Sequence, residues 1–202
     1  MPIKMLFICL LALPVWADEA DQLHQHLSAV TALSANFSQQ QFDETGQLID
    51  VSTGSMALQK PNLVRWHIED PFEQVLIGDG RWLWQHDVEL AQVVRRPYPS
   101  DTSQTPLLVF NESLESLNLN YQVNMNDAQC FVLSPNDITS LFASMTLCFD
   151  DQVLSEFSML DGFGQLTKVS LRDVTSGAPM AEEFLFMLPD DAELIIDDGN
   201  VR

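Results

Sequence analysis

The sequence predicts a mainly β fold of the α+β kind: a long curled antiparallel sheet with a lid of short helices over an apolar surface. Three observations carry this. The stretch Gly54–Gln85 is a run of short strands joined by turn residues, in which Val64, Trp66 and Ile68 alternate with Leu63, Arg65 and His67, so one strand face is wholly apolar. The two-residue period returns through the second half of the chain, punctuated by the hairpin turns Asp150-Asp151 and Asp161-Gly162-Phe163-Gly164. Helical character is confined to one N-terminal segment and one interruption in the middle.

Taken in order, Asp18–Leu33 reads as a helix, because Leu23, Leu27, Val30 and Leu33 recur at helical spacing and acidic residues occupy the first turn. From Ala35 the period shifts to two, through Phe37 and Gln39, and Leu48–Ser55 follows the turn Asp43–Gly46. In the meander that comes next, Pro61-Asn62, Asp70-Pro71 and Gly78-Asp79-Gly80 are the turns, and Trp82 and Trp84 share one strand face. Arg95–Leu117 breaks the pattern with Pro97, Pro99 and Pro106 around short apolar pieces, so a long loop carrying short helices is expected there. Strands are expected again at Leu119–Phe131, Met145–Phe149, Val153–Leu160, Leu166–Val174 and Glu183–Met187, with a final one at Leu194–Asp198. A sheet of that many strands has to curl or close. The helical parts then belong over its concave face.

Residues 1–17 read as a cleaved signal peptide: Lys4 is the positive n-region, Met5–Leu13 the apolar core, and Val15-Trp16-Ala17 the cleavage site. One domain, residues 18–202, is expected to follow as a soluble exported protein. The net charge is −20, and since Lys4 is the only charged residue ahead of Asp18, its removal leaves −21. Such a surface repels nucleic acid and anionic membranes. Cys130 and Cys148 remain beyond the leader, and their segments read as two strands of one hairpin with its turn near Asn136–Ser140. Cross-strand pairing would bring them together as a disulfide, with two buried free thiols as the alternative.

The chain has no G-x-S-x-G, H-E-x-x-H, P-loop or G-x-G-x-x-G pattern. His24 and His26, two apart on a helix, do not share a face as metal ligands would. Carboxylate pairs such as Asp190-Asp191 and Asp197-Asp198 are what chance supplies in so acidic a chain, and a hydrolase using such a pair is the reading from another class. No catalytic residue, metal or cofactor is expected. What stands out is the apolar inventory of 12 Phe and 8 Met, which suits an adaptable binding surface as well as a core.

Several pieces, in order, resemble the LolA family of periplasmic lipoprotein carriers over nearly the whole chain beyond the leader. They are Leu33-Ser34-Ala35-Asn36-Phe37-Ser38-Gln39, Gly54–Leu58 leading into Lys60-Pro61-Asn62-Leu63-Val64-Arg65-Trp66, Ile77-Gly78-Asp79-Gly80 with Trp82-Leu83-Trp84, Thr105-Pro106-Leu107-Leu108, Phe184-Leu185-Phe186, and Ile195-Ile196-Asp197-Asp198. The resemblance implies an unclosed β-barrel with a helical lid over a hydrophobic cavity, working as a monomer without cofactor. It implies acylated lipoproteins as cargo, an inner-membrane lipoprotein-releasing ABC transporter as donor and an outer-membrane lipoprotein acceptor. It also implies a cavity wall of Phe37, Val64, Trp66 and Trp84, lid contacts at Leu27, Leu107 and Leu108, and a lid latch at Lys60. Two positions depart from the family pattern: Lys60 stands where an arginine is common, and Val64 where an aromatic residue is frequent. A related sheet-and-lid binder or sensor of another lipid or glycolipid is the alternative.

Overall fold

The computed structural model describes residues 18–98, 109–110, 112–177, 179 and 181–198, so residues 1–17 and the expected lid positions Leu107 and Leu108 lie outside the description. Helix α1 spans Glu19–Ala29. The first six strands follow: β1 (Ala32–Phe42), β2 (Leu48–Gln59), β3 (Leu63–Asp70), β4 (Gln74–Asp79), β5 (Trp82–Asp87) and β6 (Gln92–Pro97). Helix α2 (Leu114–Asn120) precedes β7 (Tyr121–Met125), β8 (Phe131–Pro135), β9 (Phe142–Asp150), β10 (Val153–Asp161) and β11 (Leu166–Ser176). A 3-10 turn, Ala181–Phe184, leads to β12 (Glu193–Ile196).

All twelve strands join one sheet in the order β12-β6-β5-β4-β3-β2-β1-β11-β10-β9-β8-β7. The two meanders, β1–β6 and β7–β11, meet where β1 pairs with β11, from Leu33 opposite Ser176 to Phe42 opposite Leu166. Every pairing is antiparallel except β12 on β6. The terminal strands β12 and β7 do not pair with each other, so the sheet curls without closing.

Helix α1 is shorter than its hydrophobic spacing predicts. It ends at Ala29, and the Val30 N–H turns back to the Leu27 carbonyl at 3.1 Å. Leu33 lies instead in β1, buried opposite Leu58 of β2. A residue three after the last helical leucine satisfies a helical period and is equally well the first inward residue of the next strand, and β-branched Val30 and Thr31 favour the break. Ala20, Leu23 and Leu27 form the buried stripe of α1, and each leucine contributes about 1.5–3 kcal/mol by burial. Helix α2 falls where short helices are expected, at Leu114–Leu117, and runs on into Leu119 and Asn120, residues expected in a strand: the Ser113 hydroxyl caps it by accepting the Ser116 N–H at 3.1 Å, Leu117 is buried, and β7 starts only at Tyr121. The segment expected as a strand at Glu183–Met187 is the 3-10 turn followed by extended chain outside the sheet, because it packs by its side chains on β3 and β4 instead of pairing.

The Cys130–Cys148 disulfide is present and ties β8 to β9, as the hairpin reading expects. The register Phe131 opposite Leu147 puts the two cysteines directly across from each other, with Cα atoms 4.4 Å apart. Reduction, or the C130S/C148S double variant, is expected to lower unfolding stability by about 3 kcal/mol through loop entropy, read as a shift of the urea midpoint between oxidised and reduced protein.

Candidate functional site: an apolar interior beneath two helices

Directly opposed residues of an antiparallel pair point to the same face of a sheet. Following the pairs outward from Phe37 therefore maps the inner face. Phe37 lies opposite Gly54 on β2 and Leu171 on β11, Met56 opposite Trp66, and Val64 between Leu58 and Gly78. On the other meander, Val169 leads to Phe157, Leu147 and Phe131 in turn. Apart from Val64, these side chains join Leu23 and Leu27 of α1 and Leu117 of α2 in the main hydrophobic cluster.

Its aromatic centre is a stack. Phe37 is fully buried and its ring lies 3.9 Å from that of Trp66, centroid to centroid, at 19°. The two sit on β1 and β3, and they meet across β2, which offers no side chain at Gly54. The strand bulges here, and a Cβ on Gly54 would overlap the His67 carbonyl oxygen, so the close approach requires glycine. Trp66 continues edge-on to Phe157 at 6.0 Å. Trp66, Ile68, Met125, Phe157 and Met159 pack on the cluster yet are only half-buried, so this part of the inner face remains accessible.

The latch position has a defined partner. Lys60, in the turn after β2, donates from Nζ to the Leu27 carbonyl at 2.7 Å, while its backbone N–H donates to the Thr31 carbonyl at 2.9 Å. The ammonium thus sits at the C-terminal end of α1, where the helix dipole favours a cation. Burial lowers its pKa from the ordinary lysine value. One residue earlier on the same helix end, His26 packs on Phe149 at 4.5 Å and Phe131 at 5.5 Å.

Trp84 is not part of this interior. It lies opposite Ile77, which lies opposite Arg65, and Arg65 opposite Ala57, one residue out of step with Trp66 along every strand. Leu83, fully buried, takes the inward position on β5. On the outer face Trp84 stacks on Phe186 at 5.0 Å and 14°, donates Nε1–H to Asp79 at 2.9 Å, and shares the Arg95 guanidinium with Trp82, whose ring is 4.3 Å away. The C-terminal segment thereby covers outer residues Ala57, Ile77 and Val93, which are buried together with Phe184. The alternation of two tryptophans on β5 shows that they share a face; it does not show which face.

Tyr98 was not singled out by the sequence and belongs to the wall. A Cβ placed on Gly78 would come within 2.6 Å of the Tyr98 ring and 2.7 Å of Val64, so the three fill one spot on the inner face. Burial raises the Tyr98 pKa above its ordinary value. No signal short of strand register marks a residue at the start of a proline-rich loop as part of a cavity wall. Among the described residues there is no group of three His, Cys, Asp or Glu placed to hold a metal ion.

An open curled sheet with a partly accessible apolar inner face, covered by two short helices one of which is tied down by a lysine, defines a binder of apolar ligands. The model of the family described as outer membrane lipoprotein carrier protein LolA matches residues 28–187, and the chain belongs to that family. It is 34% identical to the outer-membrane lipoprotein carrier protein of Chromohalobacter salexigens, covering 94% of both chains. It is 32% identical to that of Azotobacter vinelandii, covering 90% of this chain and 91% of the relative. Among solved structures, a LolA superfamily protein from Nitrosomonas europaea superposes with a TM-score of 0.50 at 11% identity, over 84% of this chain and 99% of its own. An uncharacterized conserved protein from Thermus thermophilus reaches 0.55 at 11% identity, over 89% and 100%. At that identity the likeness is one of fold.

Gly78→Ala is expected to cost about 1–3 kcal/mol by overpacking against Tyr98 and Val64, and Tyr98→Ala in the same chain to recover part of it. Urea unfolding of the two single variants and the double variant measures the coupling.

Proposed function

We propose that the chain shields the acyl chains of lipoproteins in the interior beneath α1 and α2 and carries them through the periplasm. The single observation that supports this most is the accessible apolar patch around Trp66, Phe157 and Met159 in a member of a lipoprotein carrier family. Each methylene brought out of water gains about 0.8 kcal/mol, so a long acyl chain does not cross an aqueous space unprotected. Phe37, Val64 and Trp66 are the wall against which the chains lie, and Leu27, with the sequence positions Leu107 and Leu108, supplies the cover. Donor and acceptor are an inner-membrane ABC transporter and an outer-membrane acceptor. The carrier itself needs no nucleotide, because release follows from competition between cargo and closure of its own cover.

In that competition Lys60 is the closing element. Its bond to Leu27 stabilises the closed arrangement, and every increment of closure lowers the apparent affinity for cargo by the same factor. Loss of a hydrogen bond to a charged donor is worth about 1.5–3 kcal/mol. Lys60→Leu is therefore expected to tighten lipopeptide binding by about tenfold or more and to slow hand-over to an acceptor correspondingly. Unchanged release kinetics would remove the latch role.

The direct test titrates the chain from Asp18 onward with a triacylated lipopeptide and with the same peptide lacking acyl chains, following tryptophan fluorescence and native mass spectrometry. Saturable, acyl-dependent one-to-one binding is expected. Trp66→Phe should abolish most of the fluorescence response, whereas Trp84→Phe should preserve it, because Trp84 lies on the other face. Failure of the triacylated peptide to bind, with other lipids copurifying, would replace lipoproteins with a different lipid ligand.

A further inference from the structure

The two ends of the sheet are finished differently. At one end, α1 and α2 both pack against β7. At the other, β12 is exposed along its whole length: Leu194 is 37% exposed, Ile195 38% and Ile196 51%. Leu194 and Ile196 share the outer face with Val93 and Arg95 of β6, and Ile195 the inner face with Val94, so apolar side chains are open on both sides of one strand. The backbone is open as well. In a parallel ladder alternate residues bond to the neighbour, and here Glu193 N–H and Asp197 N–H donate to the Ala91 and Arg95 carbonyls at 2.8 and 2.9 Å. The N–H and C=O groups of Leu194 and Ile196 therefore point the other way, to the side where the sheet has no further strand among the described residues. An exposed apolar edge of this kind is a template for strand addition.

The segment that carries β12 is acidic, while β6 beside it brings Arg95, which lies over Trp82 and Trp84, and Arg96. From Asp173 to Asp198 the chain holds eight acidic residues, Asp190, Asp191 and Glu193 just ahead of β12 and Asp197 and Asp198 just after it, and no lysine or arginine. A second copy would bring the same acidic rim and a net charge of −20 against its own kind, which opposes self-association at this edge. We infer that β12 is a docking edge for an extended basic segment of another protein, which adds as a thirteenth strand beside β12 with its lysines or arginines over the acidic rim and its apolar residues on Leu194, Ile195 and Ile196. Main-chain bonds supply the affinity and the charged rim the choice of partner. The inference rests on the strand edge and its charge, and it stands whatever the interior binds.

The test uses the isotope-labelled protein, a short acetylated peptide of alternating lysine and valine, and its glutamate–valine counterpart. The basic peptide is expected to shift the amide resonances of residues 193–197 and slow exchange at Leu194 and Ile196, more weakly as salt is raised; the acidic peptide should do neither. Leu194→Pro removes an outward-facing N–H and leaves the bonds to β6 in place, so it should weaken the peptide by about tenfold with the remaining spectrum unchanged. The triple variant D190N/D191N/E193Q, which leaves the backbone intact, should reduce both affinity and its salt dependence. Equal binding of the two peptides, no shift at β12 with the basic peptide, an unaltered affinity in both variants, or concentration-dependent dimerisation through β12 would each overturn the inference.

Discussion

Opposed residues of antiparallel strands point the same way, and that parity, carried from β1 through β6, sorts the aromatic side chains of this chain onto two faces. Phe37 and Trp66 go in; Trp82, Trp84 and Phe186 go out. The separation depends on a local device, the bulge at Gly54, which lets two rings on non-adjacent strands stack across the strand between them. With the Phe37–Trp66 stack in place, the inner face is continuous from Met56 to Phe157 and beyond, and the helices have an apolar floor to rest on. A side chain at position 54 would push β2 and β3 apart where the wall is narrowest.

The sheet uses its two faces for different purposes, and both have to be covered. On the outer face the C-terminal segment does this permanently, through a layered stack in which Arg95 lies over Trp82 and Trp84 and Phe186 closes on Trp84. Stacked rings and a half-buried hydrogen bond from Trp84 to Asp79 hold this cover in place. On the inner face the cover is two short helices, held by a leucine stripe and the His26 ring on α1, a buried leucine on α2, and the bond from Lys60 to the end of α1. Under the proposed function only the inner cover has to give way, because only the inner surface exchanges its own helices for a ligand.

Lysine at the latch has a particular physical consequence. A guanidinium could grip the helix end with several donors in a fixed plane, whereas an ammonium offers a point charge that finds the Leu27 carbonyl with one short bond. The helix dipole reinforces it and partial burial opposes it, since the charged form loses hydration. The Lys60 bond therefore balances a favourable helix end against lost hydration.

By itself the sequence determined the strand-rich class, the meander from Gly54 to Gln85, the hairpin that joins Cys130 to Cys148 and, through its ordered motifs, the family; these rest on local periodicity, turn chemistry and short-range pairing, which neighbouring residues specify. It also pointed to Phe37, Val64, Trp66, Leu27 and Lys60, which do lie on one face or at its rim. Trp84 went astray because a strand with large apolar residues at both parities, Trp82 and Trp84 on one side and Leu83 on the other, has no inside until its register against β4 is set. Glu183–Met187 looked like a strand because its alternating apolar residues pack on a flat surface, and the surface turned out to be the back of β3 and β4. The end of α1, the place of Tyr98 over Gly78 and the exposure of β12 were decided by tertiary structure alone, since each depends on which distant strand lies alongside, a contact that local sequence does not encode.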